Sequence, residues 1–230
     1  MKSIVFDTGP IISLTTNNLL WVLEPLKVQF DGGFFIPTIV KRELVDKPLQ
    51  TKKFKFEALQ VLRAIQDGIL EVVDNRHIKK SAQTLFNLAN NTFHAHGHSI
   101  SIVHLGEMEG IASAKYLDSD SFIIDERTTR VLIEDPKKLA NILQHKLHTS
   151  IFINHKNLKS FLKRVKGIKL LRSFEIVVVA YELGLLDKYL LKIPSSKKTL
   201  VEGVLWGIKL NGCAVSQREI NEVVKLESKS

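Results

Sequence analysis

Four carboxylates, spread across more than half of the chain, have the residue types and positions to bind a divalent cation. They are Asp7, Glu43, Glu107 and Asp125. Asp7 and Asp125 each follow a short apolar run directly, and ligands of open α/β sheets bind beyond the carboxyl ends of the strands. Several acids brought together at that edge would repel one another unless a cation lay between them. The pattern therefore predicts a metal site.

Glu43 is the acid with the most unusual local context. It follows Ile39 by four residues and Val40 by three, so it interrupts the apolar stripe of a predicted helix. A half-buried acid at such a position is costly unless a charge or a hydrogen bond compensates for the lost water. The alternative is a solvated glutamate that pairs with Lys47, four residues later.

Glu107 and Glu109 lie in the first turn of a helix predicted over residues 105–117. Side chains two residues apart point about 200° away from each other around a helix, so both cannot face one ion. We assign Glu107 to the metal and Glu109 to an outer or substitute position. The alternative is that both acids only favour the helix dipole, which is worth about 0.3–1 kcal/mol.

Alternating strand and helix patterns predict the elements that bring these acids together. Apolar runs that read as strands are separated by segments with helical spacing, which implies an α/β fold with a mostly parallel central sheet flanked by helices. The predicted strands are residues 3–7, 34–36, 69–73 and 121–124. We divide the chain into a core, residues 1–135, and a second part, residues 136–230, in which a basic segment and apolar helices pack on that core.

The composition favours a polyanionic partner. Lys and Arg number 33 and Asp and Glu 24, which gives a net charge of +9, and counterion release makes such proteins bind nucleic acids. The single cysteine, Cys213, excludes an internal disulfide and is typical of a reducing cytosol. No apolar run is long enough to span a membrane, which takes about 18 or more residues. We therefore expect a cytoplasmic protein with no membrane partner.

Four short motifs, taken in order, resemble those of PIN-domain nucleases. The resemblance covers residues 3–131, and residues 174–224 resemble the helical tail of a prokaryotic, VapC-like subgroup. The basic segment 136–171 departs from compact members of that family. The motifs are Asp7-Thr8-Gly9-Pro10-Ile11-Ile12, Phe35-Ile36-Pro37 with Arg42-Glu43-Leu44, Gly106-Glu107-Met108-Glu109-Gly110-Ile111-Ala112, and Phe122-Ile123-Ile124-Asp125-Glu126-Arg127.

The resemblance implies a three-layer fold and metal-dependent hydrolysis of phosphodiester bonds, usually in RNA. Carboxylate oxygens suit Mg²⁺ or Mn²⁺, and the four acids named above would surround the ion, with Glu109 outside them. The residues expected to contact substrate or to orient a ligand are Thr8, Lys41, Arg127 and Arg130. The expected partners are an RNA substrate, an antitoxin if the chain is a toxin, and a second copy of the chain. The rival function is a catalytically weak PIN-like module that binds RNA or protein.

Two other kinds of site are weighed against this one. His94, His96 and His98 alternate along the sequence and would align on one face of a strand as a zinc site. An exposed loop between helices is the preferred interpretation. The triplet Asp7-Thr8-Gly9 also occurs in aspartic proteases, but that chemistry needs two such carboxylates in a β-rich fold, and this chain has one.

Overall fold

The computed structural model describes residues 2–227, and its centre is a five-stranded sheet in which every pair of neighbours is parallel. The strands are β1 Ser3–Phe6, β2 Gly33–Pro37, β3 Glu71–Val73, β6 Ser121–Ile123 and β8 Leu170–Leu171. Along the sheet they follow the order β3-β2-β1-β6-β8. The predicted mostly parallel sheet is confirmed.

Helices cover both faces of this sheet and form two separate hydrophobic cores. All four residues of β1 are buried, as a central parallel strand requires. Because neighbouring residues of a strand point to opposite faces, Phe6 packs in one core and Val5 in the other. The predicted three layers are confirmed.

The helix predicted over residues 105–117 is present as Leu105–Tyr116, whereas no helix was predicted over Leu23–Phe30 or Arg76–Asn90. A π-helical turn, Arg42–Asp46, joins α3 to α4. None of the helices in residues 2–227 is long and apolar enough to cross a membrane. The helices are α1 Thr8–Thr16, α2 Leu23–Phe30, α3 Thr38–Lys41, α4 Lys47–Leu49, α5 Lys55–Gln66, α6 Arg76–Asn90, α7 Leu105–Tyr116, α8 Arg127–Glu134, α9 Pro136–Leu147, α10 His155–Val165, α11 Ser173–Glu182, α12 Ser196–Leu210 and α13 Gln217–Glu227.

The part of the chain after residue 135 contributes to the same sheet and the same cores. The edge strand β8 pairs with β6, with Phe122 opposite Leu170. A short strand, β7 (Phe152–Ile153), joins a second, antiparallel sheet. Helix α10 packs through Phe161 in one core, and α11 to α13 pack in the other. Residues 136–227 therefore lie against residues 2–135 over both faces of the sheet.

The histidine-rich segment forms a β-hairpin, where an exposed loop was expected. β4 (Phe93–Ala95) pairs with β5 (His98–Ser99), and the turn between them places His96 and Gly97 at φ 49° and 79°. Two consecutive residues with positive φ are typical of a two-residue hairpin turn. His94 pairs with Ser99 and Ala95 with His98, so His94 and His98 point to opposite faces. The hairpin therefore does not align the three imidazoles on one face.

Candidate metal centre

Asp7, Glu43 and Glu107 converge where β1 leaves the sheet. Asp7 is the first residue after β1 and is 8% exposed. Burial, together with the negative charges of Glu107 and Glu43, raises the pKa of Asp7 to about 7. The three acids, which come from distant parts of the chain, are close enough to repel one another. This is the electrostatic conflict that the sequence predicted for a metal site.

Glu107 occupies the first turn of α7 and is buried. Its Oε2 accepts a hydrogen bond from the hydroxyl of Thr129 and a longer one, 3.4 Å, from the backbone N–H of His104. Burial raises the pKa of Glu107 to about 7, and the charges of Glu126 and Glu43 contribute to the rise. The hydrogen bonds fix the direction of this carboxylate, and its charge remains uncompensated.

The position of Glu43 depends on the π-helical turn. The backbone N–H of Lys47 donates to the carbonyl of Arg42, five residues earlier, so the helix is widened at this point. Glu43 is half-buried, and its Oε2 accepts a hydrogen bond of 2.8 Å from the hydroxyl of Thr8. A Cβ added to Gly106 would lie 3.9 Å from Glu43 Oε1, so the start of α7 is in contact with this carboxylate.

Glu109 points away from Glu107, as helical geometry predicts. Its Oε1 accepts a hydrogen bond of 3.3 Å from the backbone N–H of Ile39, in the first turn of α3. The side chain is 7% exposed. Glu109 therefore accepts a hydrogen bond from a backbone N–H at the start of the helical segment that carries Glu43. Its contact with the surroundings of the cluster is through this backbone group.

Asp125 borders the cluster, and its carboxylate is occupied by hydrogen bonds. The backbone N–H of Ser173 donates to Oδ1 at 2.8 Å, and the hydroxyls of Ser173 and Ser13 donate to Oδ2 at 2.7 and 2.8 Å. A Cβ added to Gly9 would lie 3.5 Å from Asp125 Cβ and 4.0 Å from Asp7 Oδ2. Asp125 thus joins α1, the end of β6 and α11. Neither serine carried a signal in the sequence.

Glu126 is an acid near the cluster that was not among the predicted site residues. Its charge contributes to the raised pKa of Glu107. Its Oε2 accepts a hydrogen bond of 2.7 Å from the backbone N–H of Thr129 at the start of α8. Thr129 thus links both acids. The available signal was an acid three residues before a threonine at a helix start, which is a capping pattern.

The predicted substrate contacts lie in different places. Thr8 is inside the cluster, and Lys41 is held by Asp46 at 2.8 Å. Arg127 is exposed, and Arg130 lies 3.8 Å from Glu134. Both arginines line a cleft of about 850 Å³ where α8 faces the C-terminal helices. Other basic side chains in this cleft are Lys138, Arg172 and Lys209.

The donor chemistry of the cluster fits a hard divalent cation. Within residues 2–227, no three His, Cys, Asp or Glu side chains form a ready-made metal cage. Mg²⁺ does not need one, since it keeps several waters and is usually bound by one or two carboxylates. A cation would also favour the ionised forms of Asp7 and Glu107, whose pKa values are raised because they are buried near like charges. The residues that would hold it are Asp7, Glu43 and Glu107.

Comparison with known protein families gives one match. A family model described as a PIN domain matches residues 3–135 of the chain. No curated protein matches the sequence. The matched span contains every predicted site residue and four of the five strands of the central sheet.

Proposed function

Because the chain belongs to the PIN-domain family, whose members are generally nucleases, we propose that it is a divalent-metal-dependent endoribonuclease acting on RNA. The observation that carries the proposal is the convergence of Asp7, Glu43 and Glu107, with raised pKa values of about 7 for Asp7 and Glu107. Buried acids that repel one another destabilise a fold, so their presence calls for a ligand that neutralises them. Mg²⁺ or Mn²⁺ is the ligand that suits these oxygens.

Each residue of the site has a distinct proposed task. A bound Mg²⁺ or Mn²⁺ would supply a water of lowered pKa and stabilise charge on the phosphate. Asp7, Glu43 and Glu107 would hold the ion, while Thr8 orients Glu43 and Thr129 orients Glu107. Asp125 is proposed to fix the end of β6 beside Asp7 through the serines that hold it, and it would contact the ion through water.

RNA is the proposed substrate because of where positive charge is available. The chain has a net charge of +9, and Arg127, Arg130 and Lys138 line the cleft beside α8. We assign phosphate contacts to Arg127 and Arg130, since α8 begins directly after Glu126 at the edge of the cluster. Lys41 would contact a phosphate only after leaving Asp46, with which it forms an ion pair.

A toxin of a toxin–antitoxin pair, located in the cytoplasm, is the finer form of this proposal. It predicts a small antitoxin protein whose binding suppresses cleavage, and a homodimer is the expected assembly. A specific observation favours the second candidate function, a catalytically weak module that binds RNA or protein. Both oxygens of Asp125 accept hydrogen bonds from Ser13 and Ser173, so three acids rather than four would bind the ion directly.

Removal of one carboxylate tests the proposed activity. The variants Asp7→Asn and Glu43→Gln should each lower Mn²⁺-dependent cleavage of single-stranded RNA at least about 100-fold. Loss of a residue that only hydrogen-bonds to a metal ligand already lowers activity roughly 10–100-fold, and loss of a ligand itself should lower it more. Cleavage is followed on a labelled RNA of defined sequence. Glu24→Gln, at an exposed glutamate of α2, is the matched control and should keep full activity.

The same assay separates the two candidate functions. Wild-type protein that binds RNA but cuts none with Mg²⁺ or Mn²⁺ would support the binding module. If the wild-type protein cuts RNA, full activity of Asp7→Asn would overturn the assignment of the site.

A further inference from the structure

A small apolar cavity opens beside the carboxylate cluster, between α1, the π-helical turn and the start of α5. Its volume is about 80 Å³. Glu43 forms part of its wall, and the same side chain accepts the hydrogen bond from Thr8 within the cluster. A ligand in the cavity would therefore be the immediate neighbour of a ligand at the carboxylates. The apolar lining consists of Ile12, Leu44, Pro48, Phe54 and Val61.

Phe54 is the residue of this lining that packing does not explain. Its side chain lines the cavity and is still 47% exposed. Its backbone has φ 63°, in the left-handed region, which is unusual for a bulky residue. Such conformations persist where the surrounding structure holds them, and they are concentrated at ligand sites. Phe54 is thus a half-exposed aromatic surface held at the mouth of the cavity.

Three lysines flank this aromatic surface, whereas two acids, Glu43 and Glu57, belong to the cavity wall. The ammonium group of Lys53 lies 4.6 Å from the centroid of the Phe54 ring, and Lys52 and Lys55 are exposed beside it. An accessible aromatic ring flanked by basic side chains binds single-stranded nucleic acids, because bases stack on the ring and phosphates contact the cations. An apolar peptide would leave the lysines unused. An acidic peptide would bring its charge into the cavity beside Glu43 and Glu57, whereas a nucleobase is uncharged and its phosphate can stay outside with the lysines.

We propose that the cavity at Phe54 binds one unpaired nucleobase of single-stranded RNA, stacked on Phe54 and next to the phosphate at the carboxylates. The inference rests on the proposed function, since it takes RNA as the ligand of the neighbouring acids. It adds a substrate-binding residue to that function: the base beside the cleaved bond stacks on Phe54, which requires that base to be unpaired.

Substitution of Phe54 by glycine tests the stacking without adding backbone strain. Glycine adopts positive φ freely, so Phe54→Gly should melt no lower than the control Phe56→Ala, which removes a ring that is 70% exposed and outside the cavity. The probe is a short single-stranded RNA that contains 2-aminopurine, in chelator so that no strand is cut. Phe54→Gly should bind it about 5- to 150-fold more weakly than wild type, the range expected for one base stacked on an aromatic ring.

The RNA affinities of the other variants, and the affinity for a duplex, complete the test. Phe56→Ala should bind like wild type, Phe54→Trp should retain binding, and the same sequence as a duplex should not distinguish wild type from Phe54→Gly. Unchanged affinity of Phe54→Gly, or an equal loss in Phe56→Ala, would overturn the inference.

Cleavage with Mn²⁺ is measured separately. Wild type that binds through Phe54 and cuts no RNA refutes the proposed function alone, and wild type that cuts while Phe54→Gly binds normally refutes this inference alone.

Discussion

The carboxyl group of Asp7 is where stability and function conflict most directly in this protein. It is buried, and two other acids, Glu43 and Glu107, lie near enough to raise its pKa. A strand end that only had to turn would be more stable with asparagine at this position, since an amide carries no charge to bury. The presence of three neighbouring acids is explained if a cation, bound alone or with substrate, offsets their repulsion.

We expect the metal-free protein to lose stability through Asp7 and Glu107 as the pH rises from about 4 to above 7. Their folded-state pKa values are about 7, against ordinary values of 3.8 and 4.5. In that window the folded state binds more protons than the unfolded state, so the free energy of unfolding falls with pH. Thermal unfolding in chelator at pH 5 and pH 8 measures the effect.

Asp7→Asn isolates the contribution of one acid. It should raise the melting temperature at pH 8, by about 2–4 °C for each kcal/mol of repulsion removed, and it should have much less effect at pH 5. A variant that melts lower than wild type at pH 8 would contradict the raised pKa of Asp7. Added Mg²⁺ should stabilise wild type more than the variant.

At the scale of elements, two helix starts bring the acids together. The π-helical turn directs Glu43 toward Thr8, and Glu109 holds the beginning of α3 by accepting the N–H of Ile39. Helix α7 carries Glu107 and lies close against β6, because Gly110 leaves room for the ring of Phe122. The position of Glu107 therefore depends on Gly110, one turn later in the same helix, because only glycine allows α7 to lie this close to β6.

Gly110→Ala should destabilise the protein by about 1–3 kcal/mol through overpacking. A Cβ at this position would lie 2.4 Å from the ring of Phe122, which is fully buried and cannot move aside. Gly203→Ala in α12 is the control, since nothing lies within 4 Å of a Cβ there, and alanine should stabilise that helix by up to about 1 kcal/mol. Denaturant unfolding measures both, and equal changes in the two variants would refute the close packing at Gly110.

At the scale of the whole molecule, residues after 135 complete the structure around the site. Strand β8 occupies the edge of the central sheet, and the backbone N–H groups of Phe122 and Ile124 donate to Lys169 and Leu171 at 2.8 Å. Ser173 holds Asp125 with two hydrogen bonds. The sequence pattern changes near residue 135, but residues on both sides of that position belong to the same central sheet and to the same two cores.

Truncation after residue 135 should prevent cooperative folding. It would leave β6 at an unpaired edge, expose the core that packs against α11 to α13, and remove Ser173 from Asp125. The fragment 1–135 should give no sharp thermal transition, whereas the full chain measured beside it should. A fragment that unfolds cooperatively and binds Mn²⁺ would support the division into a self-sufficient core and an addition.

Much of the fold and part of the site follow from the sequence by itself. The apolar runs ending in Asp7 and Asp125 and the helical spacing on either side of Glu43 are local periodicities, and they were sufficient to predict four strands of the sheet, its parallel order and the separation of Glu107 from Glu109. Helices α2 and α6 were not predicted. The strand β8 was not predicted either, since a strand of two residues has no measurable period.

Only the tertiary structure decided which acids share a site and which are engaged elsewhere. Asp125 is bound by Ser13, 112 residues earlier, and by Ser173, 48 residues later. The Glu43 carboxylate takes its direction from Thr8, 35 residues away. Periodicity records which face a residue occupies, whereas the partner that a buried carboxylate meets depends on how distant segments pack. The sequence therefore indicated the four carboxylates, and the packing of α7, α8 and α11 determined their surroundings.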